Sequence, residues 1–184
     1  AVARWYPDAF HLIVNEGRDI ENFSDLKGFR VAIPPQTSGQ NASFWFLAQH
    51  FGLAADSFLA LPMDEAAANF AMVHGQVDAI FRVRSPGNNV IRELVGDFAM
   101  KIIPIDQGRA LHLQQPALKD GYIPVGSYRG YPPLPSVELP TVVLDRLLVT
   151  RADIDDEVVY NFTRDAFEKR ADLQELSPLA GFSP

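Results

Sequence analysis

The sequence predicts an α/β fold built as a layered sheet of βαβ units, and three observations predict it. Short apolar runs at Val31–Ile33, Phe58–Leu61, Val77–Val83 and Met100–Ile105 have the length and the β-branched or aromatic content of buried strands. Stretches with apolar residues at helical spacing lie between them, the clearest being Phe44, Leu47, Ala48 and Phe51. Gly28, Gly52, Gly75 and the Ser85-Pro86-Gly87 turn punctuate the series.

In chain order, Phe10–Val14 reads as the first strand, after Arg4-Trp5-Tyr6-Pro7. Ser24–Gly28 is a short helical turn stopped by Gly, and Val31–Ile33 is the second strand. The helix carrying Phe44 and Leu47 ends at Gly52, where a helix C-terminus favours a residue tolerant of positive φ. After the strand at Phe58–Leu61, Asp64 caps a helix running to His74, with Ala67, Phe70, Ala71 and His74 as its inward stripe. The strand Val77–Val83 precedes a helix with Val90, Ile91, Leu94 and Val95 inward, and Met100–Ile105 follows. Gln107–Pro140 concentrates Pro and Gly and reads as irregular. Leu139–Thr150 is a long strand despite Pro140, and Asp153–Lys169 a helix with Val158, Val159, Phe162 and Ala166 inward.

Composition narrows the function. The 184 residues fit one domain, or one and a partial second, and 47% apolar residues with 13 Phe supply a core. The net charge of −7 comes without a basic stripe, which argues against nucleic acid as a partner. No apolar run approaches the ~20 residues of a membrane helix. Zero Cys excludes thiol catalysis, disulfides and sulfur-ligated zinc. His11, His50, His74 and His112 lack metal-ligand spacing, so no metal or cofactor is expected; His74, on an apolar stripe, reads as a partly buried structural residue. No phosphate loop, dinucleotide fingerprint or nucleophile elbow occurs, and no catalytic residue is assigned. The chain opens at Ala1 without Met or a signal pattern, read as a removed leader or an excised piece.

The turn after Val31–Ile33 is the strongest candidate site. A small-residue turn feeding a helix presents unpaired N–H groups and the positive end of the helix dipole to a carboxylate or phosphate. Ser38 and Gln40 add side-chain hydrogen bonds, and Gly39 admits close approach to the backbone. The plainer alternative is that Ser38 only caps a core helix. Asn41 either donates to a ligand or is merely solvated. Arg82 and Arg84 share one face at the C-terminal end of a strand, where open α/β sheets place ligands. A guanidinium fork matches a carboxylate, the alternative being surface ion pairs with Glu93 or Asp97. Asp64-Glu65 and Asp155-Asp156-Glu157 open helices and read as caps.

Several segments in order resemble one family. Phe23-Ser24-Asp25-Leu26-Lys27-Gly28-Phe29-Arg30-Val31 resembles a signature of extracytoplasmic solute-binding proteins. Ser38-Gly39-Gln40 stands where TAXI-group receptors of tripartite (TRAP) transporters carry Ser-Gly-Thr. Gly75–Phe81, Ile123-Pro124-Val125-Gly126-Ser127-Tyr128 and Thr141–Thr150 are similar to later segments of that group. Two departures stand out: Gln40 replaces the Thr, and Arg84-Ser85-Pro86 lacks the Gly before Pro. Both shift the expected pocket toward a more anionic or more extended solute.

The resemblance implies a lobe of the type II periplasmic-binding-protein fold, its sheet covered by helices on both faces. Residues 1–184 are expected to be a single solute-binding lobe with hinge strands near 10–15 and 141–149, the first lobe lying outside the chain. It implies a receptor, not an enzyme, that captures a small carboxylate-bearing solute, an organic acid or amino acid, and delivers it to TRAP permease subunits. The location would be periplasmic, with a membrane anchor open for the full-length protein. Tyr6 and Tyr128 fall at family positions near the interlobe cleft and join Ser38, Gly39, Gln40, Asn41, Arg82 and Arg84 as ligand-binding candidates, with core or hinge packing as the alternative. In isolation such a lobe is expected to expose an apolar patch near Trp5 and Tyr6 and to dimerise. The alternative function is a ligand-sensing effector domain of a membrane receptor or regulator; an enzyme of similar architecture lacks support, since no acid–base–nucleophile set converges.

Overall fold

A computed structural model describes residues 2–169, 171 and 172. Its elements begin with strand β1 (Ala3–Asn15), a 3-10 turn (Phe23–Leu26), β2 (Arg30–Ile33), helix α1 (Gly39–His50), β3 (Leu59–Pro62), α2 (Glu65–Val73) and β4 (Ala79–Arg84). There follow α3 (Asn89–Asp97), β5 (Met100–Ile103), α4 (Gly108–Gln114), β6 (Leu118–Ile123), β7 (Arg129–Gly130), β8 (Pro133–Leu134), β9 (Leu139–Leu148) and α5 (Asp156–Glu168). The chain divides into two compact units, Ala9–Val143 and a smaller one of Ala1–Asp8 with Leu144–Pro184.

Strands are ordered β3-β2-β4-β1-β9-β6, with β5 also pairing β1. β2 lies parallel to β3 and β4, an arrangement that needs the crossovers supplied by α1 and α2. β1 is antiparallel to β4 and β5. β1 and β9 are neighbours, and the Thr141 hydroxyl donates to the Phe10 carbonyl at 2.6 Å.

In the larger unit helices cover both faces of the sheet, as the pattern predicts. Strand residues alternate between faces. Phe10 and Phe81 meet edge to face, and Phe81 meets Phe44 of α1, which in turn packs on Phe23 and Phe58. On the opposite face Ala9, Ile13 and Ile80 pack with Ala68, Ala71 and Met72 of α2 and Ile91, Leu94 and Val95 of α3. The strand ends are tied by charge. Buried Asp78, just before β4, accepts from the Arg30 backbone N–H (3.0 Å), Nε (2.9 Å) and Nη2 (2.8 Å), and from Arg18 Nη2 at 2.7 Å.

Some expectations need correction. The buried stripe of α2 is Ala68, Ala71 and Met72; of the expected Ala67, Phe70, Ala71 and His74, only Ala71 is buried. Its face is set by packing on the sheet, so Phe70 is 58% exposed and stacks on the His74 ring at 3.9 Å, in solvent. His74 is therefore not the partly buried residue its position suggests. Gln107–Pro140 is not irregular: it holds α4 and β6–β8. The β6 sequence LKDGYI is a poor strand former. It pairs because β9 offers an open edge and because Gly121 lets the strands close up; a Cβ there would lie 2.4 Å from Val143 Cγ1.

The smaller unit is held by polar contacts. Arg146 donates to Asp8 through Nε (3.0 Å) and Nη2 (2.6 Å) and lies over the Tyr6 ring at 5.2 Å. Val158 and Phe162, expected inward on α5, are more than half exposed, and α5 buries no described residue. They line a groove of about 300 Å³ with Val2, Leu148, Val149 and Ile154. No helix among the described residues is long and apolar enough to cross a membrane.

Candidate functional site

The turn from β2 to α1 folds as its sequence dictates. Ser38 is extended (φ −92°, ψ 135°), and its hydroxyl accepts the Gln40 N–H at 3.2 Å, so it is the N-cap of α1. The Asn41 N–H donates to the Ser38 carbonyl at 3.0 Å. Of Gly39–Asn41 this leaves the Gly39 N–H as the donor nearest the helix N-terminus. The plain capping role and the candidate site thus share one residue.

Gln40 and Asn41 serve the scaffold. The Gln40 Oε1 accepts the Val83 N–H of β4 at 2.9 Å, fastening the turn to the strand end that carries the arginines. Asn41 is buried, not solvated, and donates to the Pro34 carbonyl at 2.7 Å.

These contacts bring Ser38, Gln40, Arg82 and Arg84 to a cavity of about 180 Å³, also lined by Pro34, Pro35, Met63, Asp64 and Glu65. Arg82 is 4% exposed and donates to the Phe81 carbonyl at 2.9 Å. Burial, with neighbouring Arg84 acting the same way and Glu65 opposing it, lowers its pKa to about 10, so it remains a cation at neutral pH. Arg84 Nη2 donates to Glu65 Oε2 at 2.8 Å, and Arg82 Nε lies 3.8 Å from Glu65 Oε1. The carboxylate facing both arginines is therefore that of Glu65. Sequence reading took Glu65 for a helix-opening acid; the usable signal was its place at the start of α2, after a strand parallel to β2.

Neither Tyr128 nor Tyr6 is among the residues lining this cavity. Tyr128 is buried, its ring 5.8 Å from that of His11 and its hydroxyl bonded to His11 Nε2. His11 Nδ1 donates to the Ala9 carbonyl at 2.9 Å, which fixes the neutral tautomer and makes Nε2 the acceptor. Burial raises the Tyr128 pKa. Tyr6 belongs to the smaller unit, against Trp5 and Arg146.

His11 yields a pH prediction. Burial, aided by Arg84, lowers its pKa from 6.5 to about 4. The unfolded chain then binds the extra proton between those values, so stability falls as pH drops from about 6.5 to about 4. Between pH 7 and pH 5 this linkage is worth about 2 kcal/mol. Urea unfolding at the two pH values should show that loss, and His11→Gln should remove most of it; an unchanged pH dependence would refute the assignment.

A family model described as NMT1-like matches residues 1–181. The chain belongs to the NMT1-like family. Among solved structures it is similar to the periplasmic aliphatic sulphonate binding protein SsuA from Escherichia coli, at 15% identity over 96% of this chain and 49% of that one, with a TM-score of 0.56. An ancestral arginine-binding protein bound to glutamine is 15% identical over 91% of this chain and 56% of that one, with a TM-score of 0.50. Tv2483 bound to L-arginine is 14% identical over 96% and 55%, also at 0.50. The NMT1-like chain thus has the mixed α/β fold of periplasmic binding protein lobes, and it spans about half the length of these matched proteins.

Proposed function

We propose that the chain is the solute-binding lobe of an extracytoplasmic receptor that captures a small organic acid or amino acid and hands it to membrane permease subunits. The observation that carries this reading is the nearly buried Arg82 cation at the end of β4, in one cavity with Arg84 and the N-terminal turn of α1. A preformed cation beside a helix N-terminus recognises an anionic group without performing chemistry on it. The resemblance of Ser38-Gly39-Gln40 and Gly75–Phe81 to TAXI-group receptors favours a TRAP-type permease and a carboxylate. In this reading residues 1–184 act as one lobe with hinge segments near 10–15 and 141–149, a second lobe closes on the solute, and the protein is periplasmic. Tyr6 and Tyr128 then act near the hinge.

Calorimetry of the full protein with dicarboxylates, acidic amino acids and alkanesulfonates tests it. Arg82→Ala and Arg84→Ala should each weaken carboxylate binding by about tenfold, since a charge-assisted hydrogen bond contributes ~1.5–3 kcal/mol. Binding unchanged in the double variant overturns the site; uptake of alkanesulfonates alone replaces the carboxylate with a sulfonate.

A further inference from the structure

Glu65 fits no role in simple anion capture, since it brings negative charge into the cavity meant for an anion. It is held there deliberately by geometry. Oε2 accepts from Arg84 Nη2 at 2.8 Å, and the backbone carbonyl of Glu65 lies 3.4 Å from Arg82 Nη2. Oε1 faces Arg82 Nε at 3.8 Å and is buried with no hydrogen-bond donor among the described residues. One carboxylate therefore sits opposite both guanidinium groups, in the position where a solute's acid group would find its cations.

We propose that Glu65 is a tethered counter-anion that an incoming acid must displace, and that it thereby sets how much binding energy any acid must bring to occupy the site. The inference rests on the solute-site reading above. A small inorganic anion that displaces Glu65 exchanges one ion pair for another and gains little. The displacement cost is common to every anion, so a solute with further groups to bury or bond outweighs it, while free sulfate or phosphate binds only weakly. The exchange is reversible because the tether has imperfect geometry: Arg82 sits beyond hydrogen-bond length from the carboxylate, and an unbonded buried oxygen is costly to keep.

Glu65→Gln removes the charge while keeping the shape, and calorimetry of the full protein with sulfate, methanesulfonate and malonate reads the effect. All three should bind about tenfold or more tightly, the scale of one recovered charge-assisted hydrogen bond. Glu93→Gln is the control: Glu93 is exposed on α3 and does not line the cavity. Loss of that solvated charge should change affinity by less than about threefold. Glu65→Asp keeps the charge on a shorter arm that cannot face both guanidiniums and should give an intermediate gain. If the wild type binds and folded Glu65→Gln gains nothing, the counter-anion role is wrong while the site survives. Equal gains from Glu93→Gln and Glu65→Gln would also overturn it, leaving general charge as the cause. If neither wild type nor Glu65→Gln takes any probe, the solute-site reading falls as well.

Discussion

Phe44→Ala is expected to lower stability by about 3–5 kcal/mol, a large part of what a domain of this size has. Phe44 is fully buried at the centre of the aromatic layer, with ring centroids 5.4 Å from Phe81, 5.6 Å from Phe58 and 5.8 Å from Phe23. Its neighbours come from β4, the turn before β2 and the segment leading into β3, so no single element can shift to fill the space. The loss therefore combines the transfer of the ring with an uncollapsed cavity. Phe70→Ala, on the exposed side of α2, removes the same atoms from a partly hydrated stack and should cost less than about 1 kcal/mol. Urea unfolding of both variants is decisive: similar midpoints would mean that the aromatic layer does not hold α1 to the sheet.

Asp78→Ala is the second large loss, expected at about 3 kcal/mol. Its carboxylate is nearly inaccessible and accepts from four donors, three of them on Arg30. Removing one member of a buried pair costs ~3–5 kcal/mol, and the lower end applies because Arg18 and Arg30 are partly hydrated. The hydrogen bond from Arg30 is the main reason the Asp78 pKa is lowered, with burial opposing it. A lowered carboxylate pKa contributes stability that is present above the unfolded value of ~3.9 and is lost as pH falls through the folded one. The wild type should therefore lose more stability than Asp78→Ala as the pH falls below about 4. Parallel acid-unfolding curves for the two proteins would contradict this role.

The alternation of β2, α1, β3, α2, β4, α3 and β5 was legible because short apolar runs alternate with longer stretches opened by capping residues and punctuated by Gly and Pro. Strand β6 was not legible, because its pairing depends on the open edge of β9 and on the missing side chain of Gly121, neither visible locally. The α2 stripe was misplaced by one position, since Phe70 is more apolar than Ala68 and only the sheet decides which face turns inward. At the site, the turn and the strand end were legible from residue type. That Glu65 faces both arginines and that Tyr128 bonds His11 are tertiary contacts between distant segments, outside any sequence window, and the bond from Asn41 to Pro34, though local, depends on how the turn folds back.

The hydrogen bond from Val83 to Gln40 has an evolutionary consequence. Position 40 is not free to change on its own terms. The Thr that TAXI-group receptors carry in the segment this turn resembles would add a hydroxyl but orphan the Val83 N–H, at a cost of ~1–3 kcal/mol if no water replaces the amide oxygen. Substitutions in this turn are therefore epistatic with the end of β4. For the proposed receptor, drift toward another ligand should proceed first through Arg84 or Glu65, whose side chains can be exchanged without unfastening the turn.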